Sequence, residues 1–323
     1  MYDTAYRLIA SEMEKVKALS RQVVSGADSY VDEIIRYCLN VGGKRIRPAL
    51  LFLSGKMFGE INDKHLCAAA AIELVHTATL IHDDILDGAA VRRHIETVNV
   101  RWNAQVAVLA GDLLLSKALE LMCGGDLVGI RRLTEACRLT CEGELRQLKT
   151  AGHFEMPGDE YLRIIGGKTA PLLACSTELG AYYAGTDSET VSKFRLFGHK
   201  LGLAFQMIDD ILDLVGDTET AGKTLRTDLQ NQKPTLPVIV YLQNATSGQR
   251  ETMLRDLRCE NISEKTAAQI VDELRQSGAV GEAKRQAKQV IDEAVEIITG
   301  IDGDPTAKSA LLAVADFVAA RNQ

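Results

Sequence analysis

The sequence predicts an all-α protein. Three observations carry that prediction: apolar residues recur at spacings of three and four along the long segments, only six prolines interrupt 323 residues, and no stretch shows the alternating pattern of a convincing strand. Taken in order, helices are expected at 3–23, 27–40, 47–58, 63–86, 98–122, 126–150, 168–184, 188–214, 234–243, 262–276, 278–299 and 305–321. Glycine and polar residues mark the breaks, at Gly42-Gly43, from Gly88 onward, at Gly124-Gly125, across 152–158 and 185–188, and through the long polar stretch 216–234. The chain has no internal repeat of the solenoid kind. A single domain over 1–323 is expected, with its motifs between about 40 and 240 and amphipathic helical scaffold over 241–323.

Composition narrows the function. The chain carries 37 Lys plus Arg against 44 Asp plus Glu, a net charge of −7 that argues against nucleic-acid binding. Its seven cysteines are odd in number and scattered, without a CxxC pair or zinc spacing, so they are expected to be reduced core residues of a cytoplasmic protein. Residues 1–15 lack the basic and apolar regions of a signal peptide. No transmembrane segment is expected, which leaves peripheral contact as the route to a membrane.

The chemistry is concentrated in a pentapeptide that occurs twice, as Asp83-Asp84-Ile85-Leu86-Asp87 and Asp209-Asp210-Ile211-Leu212-Asp213. On a helix the outer acids of each copy stand one turn apart on one face, and the middle acid lies about 100° round. Two such faces opposed would repel strongly without cations between them, and hard divalent ions with oxygen ligands suit the task. Upstream, Gly42-Gly43-Lys44-Arg45-Ile46-Arg47-Pro48 places cations after a flexible glycine pair, a composition suited to an oligophosphate. Arg92-Arg93 follow the first acidic motif within one short loop, so acid and base alternate as a metal-diphosphate site requires. His76 lies two helical turns before Asp83 on the same face. With Glu73 it also spells Glu-x-x-His, found in di-iron bundles, but the chain has no second copy. Lys168-Thr169 open an apolar helix, Phe205-Gln206 precede Asp209 by one turn, and Lys223, Asp228 and Lys233 lie in the loop after the second motif, where lysines could close over a phosphate.

In this order the motifs resemble those of the trans (head-to-tail) polyprenyl diphosphate synthases. The match runs from Gly43 to Pro237 and comprises Gly-Gly-Lys-Arg-x-Arg-Pro, His76, His82-Asp-Asp-x-x-Asp87, Arg92-Arg93, Gly111-Asp112, Lys168-Thr169, Phe205-Gln206-x-x-Asp-Asp-x-x-Asp213 and Lys233-x-Thr-Leu-Pro237. The resemblance implies the isoprenoid synthase fold, a single-domain helical bundle around a central cavity. It implies that Asp83, Asp87 and Asp209 bind Mg²⁺, three ions with substrate present, supported by Asp84, Asp210 and Asp213. Lys44, Arg47, His76 and Arg93 would hold isopentenyl diphosphate, while Arg92, Lys168, Lys223 and Lys233 would grip the allylic diphosphate. Thr169 and Gln206 would face the developing carbocation.

The family's chain-length positions fall on Ala78 and Thr79, with Val75 one turn further. Short-chain members usually carry an aromatic there. With a small gate, a growing chain could run beside helix 63–86, which spans roughly 36 Å, and end against larger side chains over 113–122. The expected product is therefore long, roughly C35 to C50 with C40 favoured, supplying a quinone side chain. Alternatives are a short-chain farnesyl or geranylgeranyl synthase, a terpene cyclase, and a subunit of a two-component synthase. Repetition of the full Asp-Asp-x-x-Asp argues against a cyclase, and retention of all six acids against a non-catalytic subunit. A homodimer is expected. The family usually has glycine where this chain has His94, Asn103, Arg226 and Gln232, so the loops after both acidic motifs depart from the common form.

Overall fold

The computed structural model describes residues 2–26, 28–40, 42–216, 227–259 and 261–320. They form seventeen helices and one two-stranded ladder. The first elements are α1 (Tyr2–Leu8), α2 (Ala10–Val24), α3 (Ser29–Asn40), α4 (Ile46–Lys56), α5 (Asp63–Leu86), β1 (Val91–Arg92), β2 (Ile95–Glu96), α6 (Val98–Arg101), α7 (Ala104–Cys123) and α8 (Leu127–Thr150). There follow α9 (Gly158–Lys168), α10 (Ala170–Tyr183), α11 (Ser188–Val215), α12 (Thr227–Gln230), α13 (Leu236–Asn244), α14 (Ser247–Leu257), α15 (Glu264–Gln276), α16 (Ala279–Thr299) and α17 (Pro305–Ala320).

The all-α class is the one expected, and its local departures each have a cause. The loop after the first acidic motif is a small antiparallel hairpin, with Val91 opposite Glu96 and Arg92 opposite Ile95, too short to reveal an alternating pattern. Its turn residues Arg93 and His94 both have positive φ, 51° and 67°, the geometry of a mirror-image two-residue turn that glycine and asparagine favour. The helix expected over 98–122 breaks at Trp102, and Asn103 caps α7 by accepting the Val106 N–H at 2.8 Å. The helix expected from 168 instead starts after Thr169, and Gly166-Gly167 lie inside α9. Pro171, without an N–H, cannot continue the α9 ladder and sits acceptably in the first turn of α10. The sequence reading missed α14, although Thr246 and Gln249 form a reciprocal capping box at its start. None of the seven cysteines is in a disulfide, but only Cys38 and Cys175 are buried; Cys123, Cys141 and Cys259 are exposed, which corrects their assignment to the core.

Contacts group the chain into two compact units, each assembled from separate stretches: 1–137 with 172–198 and 295–314, and 138–171 with 199–294 and 315–323. In the first, α5 is the spine. Its Ala68, Ala69, Ala70, Ala71, Ile72, Leu74, Val75 and Ala78 are buried, and it packs on α2, α4 and α7. The alanine run keeps that helix slim, so neighbours approach closely. By length and composition α5 is the one described helix apolar enough to cross a membrane, and 56% of that window is buried within the protein. Also in this unit, the carboxylate of Glu178 lies 2.8 Å from Arg132 Nε and 3.5 Å from Arg195, an ion-paired link between α8, α10 and α11. In the second unit α8 and α9 touch at glycines, since a Cβ on Gly143 would fall 2.5 Å from the Gly167 carbonyl carbon. Tyr241 donates to Glu273 at 2.9 Å and ties α13 to α15.

Candidate active site

The first acidic motif closes α5. Asp83 and Asp84 occupy its last turn, and Asp87 is its C-cap, donating its N–H to the Asp83 carbonyl at 2.8 Å. Asp84 is buried and accepts from Arg92 Nε at 2.7 Å. Burial raises the pKa of Asp84, and the Arg92 guanidinium opposes that rise by favouring the charged form. Asp83 is half-buried and Asp87 exposed. The Thr97 hydroxyl donates to the Ala89 carbonyl at 2.7 Å and holds the far side of the hairpin against this turn. Gly111 has a seating role: a Cβ there would overlap the His82 ring, whose Nε2 lies 3.2 Å from the Val108 carbonyl oxygen.

The same unit gathers cations around the middle of α5. Arg45 caps α4 in the left-handed region, φ 46° and ψ 44°, and the Tyr6 hydroxyl donates to the Lys44 carbonyl. The Arg93 guanidinium lies where a Cβ on Gly43 would be, so Gly43 leaves room for this close approach, whereas Gly42 borders open space. Burial, followed by repulsion from Arg47, Arg93 and Arg92, holds the His76 imidazole well below its ordinary pKa and therefore neutral. Glu73, one turn earlier, is pushed up by burial and pulled down by Arg47, Arg45 and Arg93. Three of the four residues assigned to isopentenyl diphosphate, Arg47, His76 and Arg93, thus share one electrostatic neighbourhood. Glu73 belongs to it too. In the sequence Glu73 stands out only as half of a Glu-x-x-His. Of the chain-length positions, Val75 and Ala78 are buried, and Thr79 turns its hydroxyl back to the His76 carbonyl at 2.8 Å.

The second motif lies wholly inside α11, in the other unit. Asp209 is half-buried, whereas Asp210 and Asp213 are buried. Asp210 accepts from the Tyr161 hydroxyl at 2.8 Å through one oxygen and from Gln206 Nε2 at 2.8 Å through the other. The Gln206 Oε1 in turn accepts from the Thr169 hydroxyl at 2.5 Å. Burial and then Asp228 push the Asp210 carboxyl up to about 7, against the pull of the Gln206 and Tyr161 donors. Asp213 accepts the Thr227 hydroxyl and the Asp228 N–H, both at 3.0 Å, and so anchors the start of α12. Lys168 Nζ lies 2.7 Å from Glu144 and 3.0 Å from Gln147, both on α8. Lys233 lies 3.7 Å from Asp228. Lys223 and Arg226 fall outside the described residues. Gln232 has φ 51°, and its carbonyl accepts the Gly152 N–H at 2.8 Å, so here again a non-glycine residue takes a left-handed conformation. Tyr161, Glu144 and Gln147 escaped sequence reasoning because nothing local marks them: each acquires its partner only through tertiary packing.

Among the described residues no three His, Cys, Asp or Glu side chains gather into a closed metal cluster. The donor chemistry nonetheless fits a hard divalent ion, because Asp83 and Asp87 offer carboxylate oxygens one turn apart at a partly exposed helix end. Mg²⁺ is commonly bound in that way, by one or two carboxylates with water and substrate phosphates completing its shell.

The family model described as polyprenyl synthetase matches residues 28–274. An all-trans-nonaprenyl-diphosphate synthase (geranyl-diphosphate specific) from Rhodobacter capsulatus is 35% identical, with 90% of this chain and 89% of that protein covered. A short chain isoprenyl diphosphate synthase from Methanothermobacter thermautotrophicus is 34% identical, covering 88% of each. Among solved structures, the polyprenyl synthase of Caulobacter crescentus complexed with calcium and isoprenyl diphosphate superposes with a TM-score of 0.94, at 31% identity over 100% of this chain and 98% of that one.

Proposed function

The chain belongs to the polyprenyl synthetase family and is a prenyltransferase, and from that premise we propose that it condenses isopentenyl diphosphate repeatedly with an allylic diphosphate. The product is an all-trans polyprenyl diphosphate of roughly C35 to C50, C40 favoured, destined for a quinone side chain. The observation that carries this reading is in α5: Asp83 and Asp87 end the same helix whose His76 faces Arg47 and Arg93.

Lys44, Arg47, His76 and Arg93 hold the diphosphate of isopentenyl diphosphate, with neutral His76 donating a hydrogen bond. Arg92, Lys168, Lys223 and Lys233 grip the allylic diphosphate, and Asp83, Asp87 and Asp209 are the metal ligands, with Asp84, Asp210 and Asp213 in support. Bound Mg²⁺ supplies Lewis acidity to the departing pyrophosphate. The allylic C–O bond breaks with its electron pair going to oxygen, and the oxygens of Thr169 and Gln206 stabilise the positive charge left on carbon. The double bond of isopentenyl diphosphate then forms the new C–C bond, and the proton lost from the adduct passes to the released pyrophosphate. Apolar walls exclude water that would otherwise quench the cation.

Val75, Ala78 and Thr79 set product length, because small side chains at this gate let the tail pass. A tail of that size is held by about 0.8 kcal/mol per buried methylene, so its release is slow and is assisted by peripheral contact with a membrane. The enzyme acts as a single domain in the cytoplasm. The exposed apolar residues Val108, Leu109 and Leu119 of α7 and Leu127 and Val128 of α8 support homodimer formation.

Purified protein incubated with Mg²⁺, labelled isopentenyl diphosphate and farnesyl diphosphate should give products near C40 on thin-layer chromatography, and Ala78→Phe should shorten them. Products stopping at C15 or C20 would establish the short-chain reading instead. Incorporation only after a second protein is added would establish a two-component enzyme.

A further inference from the structure

Tyr161 is among the largest fully enclosed side chains of the protein, 2% exposed on α9, and its hydroxyl is committed to one acceptor. A buried phenol requires a partner, but this one has a carboxylate 49 residues away on another helix. That carboxylate, Asp210, has its second oxygen occupied by Gln206 Nε2, one turn earlier on α11. The Gln206 amide is consequently oriented. If it turned over, both the Nε2 donation to Asp210 and the Thr169 donation to Oε1 would be lost in their present form. With Nε2 held at Asp210, the Gln206 oxygen points to Thr169, whose hydroxyl donates to it at 2.5 Å. The contacts form a continuous chain within one unit, from Tyr161 through Asp210 and Gln206 to Thr169. The phenol holds one Asp210 oxygen and the Gln206 amide the other, so removing the phenol hydroxyl frees the carboxyl to rotate away from Gln206.

We infer that Tyr161 is a positioning residue: by holding Asp210 it sets the orientation of the Gln206 amide and, through it, the Thr169 hydroxyl. The significance for carbocation stabilisation rests on the proposed reaction; the clamp itself does not. Its test therefore has an arm without turnover. In full-length protein labelled with ¹⁵N-glutamine, the Gln206 side-chain amide is assigned by its disappearance in Gln206→Glu. Tyr161→Phe preserves the ring and removes only the hydroxyl. It should accelerate hydrogen exchange at that amide about tenfold, the upper range for one hydrogen bond, while other glutamine amides keep their rates. In the condensation assay Tyr161→Phe should lower kcat about tenfold with the KM of both diphosphates changed less than about twofold. Added to Gln206→Leu it should cause no further loss, as expected for members of one chain. Unchanged Gln206 exchange in a folded Tyr161→Phe protein overturns the proposal, as does an additive double variant. Should Tyr161→Phe fail to fold, Tyr161→Met, which also fills the site without a hydroxyl, reads the same link: faster Gln206 exchange supports the clamp, and unchanged exchange overturns it. A wild-type protein without condensation activity counts against the proposed reaction alone, because the exchange arm still reports.

Discussion

The two copies of Asp-Asp-Ile-Leu-Asp are identical in sequence and differently used. The first ends α5, with Asp87 as an exposed C-cap; the second is enclosed within α11, with Asp213 buried against the start of α12. Their middle acids diverge as well. Asp84 is met by a guanidinium at 2.7 Å, Asp210 by a phenol and an amide, each at 2.8 Å. Burial raises both carboxyls, but the Arg92 cation opposes it at Asp84, whereas at Asp210 the Asp228 charge adds to burial and two neutral donors oppose them, leaving it pushed up to about 7. A motif of five residues thus specifies where carboxylates are, and the second layer around it specifies what each can do.

The sharpest way to break this comparison is to remove the acid each copy is proposed to contribute to the metal. Asp83→Ala and Asp209→Ala should each lower kcat roughly 10³-fold, measured by incorporation of labelled isopentenyl diphosphate under saturating Mg²⁺. A loss below about tenfold in one of them would confine the chemistry to the other motif.

A smaller effect separates the third acids. Asp213→Ala removes both acceptors from the start of α12 and should cost about 1 to 2 kcal/mol in urea unfolding. Asp87→Ala, at an exposed position, should stay within about 0.5 kcal/mol while raising the Mg²⁺ concentration needed for half-maximal rate. Equal destabilisation would show that the copies are structurally equivalent after all.

The smallest predicted effect concerns the segments that follow the motifs. His94 at φ 67° and Gln232 at φ 51° occupy conformations natural to glycine. His94→Gly and Gln232→Gly should each raise stability by up to about 1 kcal/mol, read as a higher thermal midpoint, because relief of left-handed strain outweighs the added freedom of the unfolded chain. A lower midpoint at either position would show that its side chain makes contacts worth more than the strain it bears.

Much of this architecture could be read locally. Amphipathic spacing located α5, α8 and α11 within a residue or two of their observed ends, and the acids and cations around them followed from residue type and order. What escaped was mostly very short or signalled by capping alone: the hairpin at Val91 to Glu96, the Trp102 break, α12 and α14; α9, eleven residues with no side-chain cap and a glycine pair inside it, escaped as well. Asn103 and the Thr246–Gln249 pair were legible caps that apolar periodicity overruled. Tyr161 was not legible at all, since an isolated tyrosine ahead of a glycine pair carries no local sign of a carboxylate partner.

By itself, then, the sequence determined the helical class, the family, and the identity of the carboxylates and cations available for diphosphate chemistry, because each depends on residue type and short-range spacing. Only the tertiary structure decided which acids are buried, which donors meet them, and how Gln206 is turned. Desolvation and hydrogen-bond partnership are set by residues far apart in the chain, and two identical pentapeptides acquire different properties as soon as different helices pack around them.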